Sequence, residues 1–170
     1  MYFEGFWQAL KTKIIAKTGW RTDDLINAIK SEKLQGAYDI VTLLIGVNNQ
    51  YQHKPIEQYK EEFRTLLKTA IELAGGKKER VFVISIPDYG YTPFGKEKQK
   101  EISKDLDLYN KINKEISTEL RVKRFDITPN SREGIKRIEL VAKDGLHPSE
   151  QMYSEWIDLF SEKIIYTINK

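Results

Sequence analysis

The 170 residues suffice for one domain with one sizeable core, and 40% hydrophobic with 31% charged residues is ordinary for a globular chain rather than a disordered one. A net charge of +3, with no concentrated basic run, gives no argument for nucleic acid as a partner. The absence of cysteine excludes disulfides, zinc-thiolate sites and cysteine nucleophiles, and no apolar stretch approaches the ~20 residues of a membrane span.

In chain order, Phe3, Phe6, Trp7 and Leu10 recur at helical spacing. A short strand is expected over 13–17, closed by Thr18-Gly19. Thr22 then reads as the N-cap of a helix reaching about Leu34, with Asp23 and Asp24 in its first turn, where the helix dipole favours negative charge. The run 39–45 is nearly all apolar, as expected of a central parallel strand covered on both faces. A polar loop is expected over 46–54. Pro55 opens a long helix that stops at Gly75-Gly76. A strand over 80–86, a loop over 87–95, a helix from about Gln99 to Leu120 and a strand over 122–127 follow. Ser149 caps a last helix with Met152, Trp156, Leu159, Phe160 and Ile164 on its apolar side. Strands separated by helices predict an α/β fold: a parallel sheet with right-handed crossovers and helices on both faces.

Ligands of open α/β sheets bind beyond the carboxyl ends of the strands. There the sequence places Thr18-Gly19-Trp20, Gly46-Val47-Asn48-Asn49, Pro87-Asp88-Tyr89-Gly90 and, further on, Asp144-Gly145-Leu146-His147-Pro148. Histidine is the commonest general base near neutral pH, and a carboxylate three residues away is placed to hold its tautomer. An amide such as Asn48 beside a glycine can present an N–H to a developing oxyanion, and Gly19 lets backbone approach a ligand closely. Alone, each feature reads as an ordinary turn residue, and His53 reads as an exposed loop residue. Their order, each at a strand end, gives them weight.

These segments resemble the blocks of the SGNH/GDSL serine ester hydrolases. Ile14 to Leu25 is similar to the second block, with Gly19 as its glycine. Leu44-Ile-Gly-Val-Asn-Asn-Gln50 is similar to the Gly-x-Asn-Asp block, with Asn49 in place of its Asp. Asp144-Gly-Leu-His147 is similar to the Asp-x-x-His block. The resemblance implies a single domain over 1–170, a three-layer α-β-α sandwich on a flavodoxin-like sheet, and acyl or acetyl ester hydrolysis without a cofactor or metal. It implies His147 as base and then acid, Asp144 orienting it, and Gly19 and Asn48 as two of three oxyanion donors. Asn49, Asp88 and Tyr89 are candidates for the substrate pocket, with Tyr91 and Phe94 as further candidates to line an acyl or sugar pocket.

The family's first block, a strand ending in Gly-Asp-Ser, has no counterpart in the chain. The resemblance therefore implies an N-terminally truncated domain missing its first, central strand, with no nucleophile identified. Ser131 is the least unsuitable substitute and Ser149 is better explained as a cap. Removing one strand between 13–17 and 40–45 leaves those two roughly 9.6 Å apart, twice the ~4.8 Å strand spacing. Such a gap must close by direct pairing, borrow a strand, which offers a route to self-association, or destabilise the chain. The expected partner is a small-molecule ester, with no nucleic acid and no membrane span, and the expected location is cytoplasmic unless an upstream signal has been lost. The competing readings are an inactive fragment or binding domain and, last, a metal-dependent phosphoesterase using Asp88, Asn48, Asp144 and His147.

Overall fold

A computed structural model describes residues 11–34 and 36–168. The helix expected from Phe3 to Leu10 lies outside these residues. Three short strands form the sheet: β1 (Val41–Leu43), β2 (Val81–Ile84) and β3 (Lys123–Phe125). They pair in parallel in the order β1-β2-β3, with Val41 opposite Val81 and Phe82 opposite Lys123. The helices are α1 (Thr22–Ser31), α2 (Val47–Tyr51), α3 (Ile56–Leu73), α4 (Gln99–Glu119), α5 (Thr128–Ser131) and α6 (Glu150–Ile168).

Alternation along β2 separates two cores. Val81 and Val83 join Leu25 of α1, Tyr59, Phe63 and Leu67 of α3, and Leu106, Tyr109 and Ile116 of α4. On the other face Ile84 and Phe125 pack with Met152, Trp156 and Phe160 of α6, and the rings of Phe82 and Phe125 stack at 5.6 Å. The sheet is thus sandwiched between helices, as expected.

Five local expectations are corrected. Residues 13–17 belong to no strand of this sheet. A strand exists only through a hydrogen-bonded neighbour, and among the described residues the segment has none; nor does it pair directly with β1. The run 39–45 yields an edge strand rather than a central one, because among the described residues β1 is paired on one side only; Thr42 is exposed and Leu44 is 39% exposed. Helix α1 starts at Thr22 instead of being capped by it: Asp24 accepts the Arg21 N–H at 3.0 Å, while the Thr22 N–H is taken by the Asn49 side chain. The expected polar loop 46–54 contains α2. The Ser149 cap is found, its Oγ accepting from Met152 N, but Leu159 is solvent-exposed rather than on the buried face of α6. Among the described residues no helix is long and apolar enough to cross a membrane.

Helix α6 is tied to the loop before it through Glu155, which accepts from Arg137 at 2.6 Å and from Asn130 at 2.6 Å. Arg137, followed by Asn130, pulls the Glu155 carboxyl down from 4.5 to about 2. A depressed folded-state value means that the tie stabilises fully above the ordinary carboxylate value and fades as pH falls towards the folded one. Glu155→Gln is therefore expected to lower the urea midpoint at neutral pH. It should also flatten the loss of stability between pH 4.5 and about 2 relative to the parent protein.

Candidate active site

The segment carrying Asp144 and His147 is a tight loop closed on itself. Val141 and Pro148 form an antiparallel bridge, Ala142 N–H donates to His147 O at 2.8 Å, and Gly145 N–H donates to Ala142 O at 2.9 Å. Inside it, one Asp144 oxygen accepts the backbone N–H groups of Leu146 and His147 at 2.9 and 3.0 Å. The other lies 2.6 Å from His147 Nδ1. The His147 and Leu146 N–H groups, then the ring, hold the Asp144 carboxyl down at about 2. An ionised Asp144 makes Nδ1 the protonated nitrogen, so Nε2 is left as the basic one. The pair is solvent-facing, with the His147 side chain 57% exposed.

A cavity of 540 Å³ brings His147 together with Gly19, Asn48, Asp88 and Tyr89. Gly19 has φ +85, a conformation glycine adopts without strain, and so turns the chain between 13–17 and α1. Asn48 sits in the first turn of α2, and its Nδ2 donates to Trp20 O at 3.1 Å, which ties the two oxyanion candidates into one unit. An amide nitrogen has a second hydrogen for a ligand.

The pocket candidates divide. Asn49 is fully buried and lies outside the cavity lining; its amide is spent on Thr22 N–H at 3.1 Å and Thr22 Oγ1 at 2.6 Å, locking α1 to α2. Asp88 borders the cavity, but its side chain is buried and occupied by Gly90 N–H and by Arg132 Nε, both at 2.9 Å. Tyr89 forms part of the wall, and its hydroxyl donates to Gln50 Oε1 at 2.8 Å. Phe94 also lines it; Tyr91 does not, lying instead under the Arg132 guanidinium at 5.9 Å. His53 is exposed, as expected, and borders a separate hollow. Among the described residues no three His, Asp or Glu side chains gather as a metal-holding group.

All eight serines of the chain are among the described residues, and Ser131 is the one that reaches this cavity. Its hydroxyl is buried in α5, donating to Thr128 O at 2.7 Å and accepting from Asp88 N–H at 2.8 Å. Ser149 Oγ is committed to Glu139 O at 2.6 Å and to its capping bond.

Sequence reasoning missed the polar frame beneath the site. Asn110 accepts from Ile86 N–H at 2.8 Å and donates to Ile86 O at 3.0 Å, fixing the exit from β2. Arg132 joins Asp88 to Asp107. The available signal was Asn110 and Asn113, two amides on the apolar face of α4 beside Leu106, Tyr109 and Ile116. Buried amides of that kind require partners.

A model of the GDSL-like lipase/acylhydrolase family matches residues 4–154. An acetylxylan esterase from Geobacillus stearothermophilus has a similar structure, with TM-score 0.66 at 20% identity over 86% of this chain and 68% of that one. The lipase/acylhydrolase from Enterococcus faecalis gives TM-score 0.63 at 24% identity, over 86% of this chain and 71% of that one. At such identities the likeness is one of fold. No curated protein matches the chain. The family match, spanning both ends of the described site, shows that the chain belongs to the GDSL-like lipase/acylhydrolase family and carries its α/β ester hydrolase scaffold.

Proposed function

We propose that the cavity is the active site of a carboxylic ester hydrolase acting on small acyl or acetyl esters, with His147 as general base and acid and Asp144 as its orienting carboxylate. The observation that carries this is the 2.6 Å Asp144–His147 contact on the rim of a cavity shared with Gly19 and Asn48. His147 Nε2 accepts the nucleophile's proton and returns it to the leaving alcohol. Gly19 N–H and the Asn48 amide stabilise the tetrahedral oxyanion. The acetylxylan esterase among the structural neighbours is consistent with a small acyl group. Family membership favours the hydrolase over an inactive binding domain.

The nucleophile in this reading is a serine on a strand laid along the free edge of β1, which completes the sheet. Two features support it: among the described residues β1 is paired on one side only, and the hydroxyls of Ser131 and Ser149 are already engaged. A second copy of the chain pairing at the same edge is the alternative occupant. The test extends the chain at its N-terminus with a strand ending in Gly-Asp-Ser and treats it with a fluorophosphonate probe, read by intact mass. One adduct on the added serine, abolished by His147→Ala, is expected. A folded, extended protein that takes no adduct sinks the hydrolase reading. An adduct on Ser131 or Ser149 instead overturns the placement of the nucleophile.

A further inference from the structure

Beside the cavity lies a second hollow of 270 Å³, and the two share one wall: Tyr51, Tyr89 and Phe94. The rings form a contiguous cluster, with Tyr51 edge-on to Tyr89 at 6.0 Å and Phe94 tilted against Tyr51 at 6.3 Å and Tyr89 at 6.4 Å. Tyr51 is 50% and Phe94 54% exposed, so large aromatic surface faces solvent immediately beside His147's cavity. Isolated exposed aromatics need no explanation, but a contiguous aromatic ledge on a site wall is a recognition surface.

The ledge is held rigidly from behind. Buried Gln50 accepts from the Tyr89 hydroxyl at 2.8 Å and donates to Asp105 at 3.3 Å. Beyond the rings, the hollow is bordered by Glu97, Lys98, Glu101 and His53. These exposed side chains present donors and acceptors of both signs around an apolar floor. A long acyl chain would find this border costly, because it would desolvate charged groups without pairing them. A strongly ionic alcohol would meet like charge on one side whichever its sign. A neutral pyranose satisfies both requirements. Its C–H face lies on an aromatic ring while its hydroxyls exchange hydrogen bonds with carboxylate, ammonium and imidazole.

We infer that the Tyr51–Phe94 ledge is the leaving-group subsite and that the alcohol it seats is a sugar, with Tyr51 and Phe94 setting that specificity. The inference rests on the hydrolase reading for the words "leaving group", but sugar binding itself requires no nucleophile. The acyl half then lies on the His147 side of the ring wall and the sugar on the Glu97 side.

The test is calorimetric titration of the full chain with xylotetraose and, separately, cellotetraose. Binding of at least one with Kd near or below about 1 mM is expected. His147→Ala should bind it as the parent does. Tyr51→Ala and Phe94→Ala should each weaken it about fivefold or more, the equivalent of about 1 kcal/mol lost per ring stack. Tyr51→Phe, which keeps the ring, should restore it, and far-UV circular dichroism confirms folding of each variant. Binding of neither sugar by the folded chain, or binding that both alanine variants retain, overturns the subsite. Fluorophosphonate labelling of the extended protein without sugar binding removes the subsite and leaves the hydrolase. Sugar binding without such labelling leaves the ledge as a sugar site and removes the hydrolase.

Discussion

His147→Ala in the serine-bearing protein is expected to lower kcat/KM for 4-nitrophenyl acetate by about 10²–10⁴-fold, the usual worth of a positioned general base. Folding should be little changed, since the ring is solvent-facing and its loop is held by backbone bonds such as Ala142 N–H to His147 O. Asp144→Asn is the more discriminating variant. Its carbonyl oxygen can still accept the Leu146 and His147 N–H groups, so the loop keeps its shape. Its NH₂ now faces Nδ1, which must become the acceptor, and Nε2 then carries the hydrogen and cannot act as base. A large fall in kcat is expected in a protein that keeps its fold by far-UV circular dichroism. Because the Asp144 carboxyl is held at about 2, the acid limb of the activity profile belongs to another group. Full activity of the asparagine variant would remove Asp144 from the orienting role.

The position of Asn48 was legible because it follows the strongly apolar 39–45 run, and ligands of an open α/β sheet bind beyond the ends of such strands. Gly19 and His147 came only from the order of their motifs, since 13–17 forms no strand of the sheet and His147 lies in a loop well after β3. The residues 81–84 are the plain case of an apolar run: they are apolar on both faces, and in the structure β2 is the strand with neighbours on both sides. The same reasoning misread the 39–45 run. Hydrophobicity reports what a segment is suited to contact, not whether the contact is present, and among the described residues only β2 pairs with β1.

Side-chain allegiance was the other illegible quantity. Asn48 and Asn49 are neighbours of one residue type. Consecutive positions at the start of α2 point in different directions, so one lines the cavity and the other is buried on Thr22. Composition and spacing carry no information about that divergence until the helix itself is recognised. Helix α2 is only five residues long and lacks a repeating apolar stripe. Asp88 is the analogous case: its partner Arg132 is 44 residues away, a distance at which no local pattern operates.

Gly46→Ala is expected to be the most damaging single substitution at the site. Gly46 has φ +128 and ψ −15, a conformation closed to other residues without strain of about 1–3 kcal/mol. A Cβ there would also stand 2.7 Å from Ile86 Cδ1 and 2.7 Å from Tyr59 Cε2. Both neighbours are in the core, 1% and 0% exposed, so neither can swing into solvent, and forcing a methyl into packed surroundings costs a further ~1–3 kcal/mol. Together these are a large share of the ~5–15 kcal/mol that holds a domain. The damage should reach function as well, because Gly46 is the N-cap position of α2 and so sets where Asn48 points. Urea unfolding should show a strongly lowered midpoint with an unchanged slope. Adding Ile86→Val removes the Cδ1 atom and one of the two closest clashes, so the double variant should be more stable than the sum of the single losses predicts. Simple additivity would show that the clash against Ile86 contributes nothing, leaving backbone strain and the contact with Tyr59 to account for the effect.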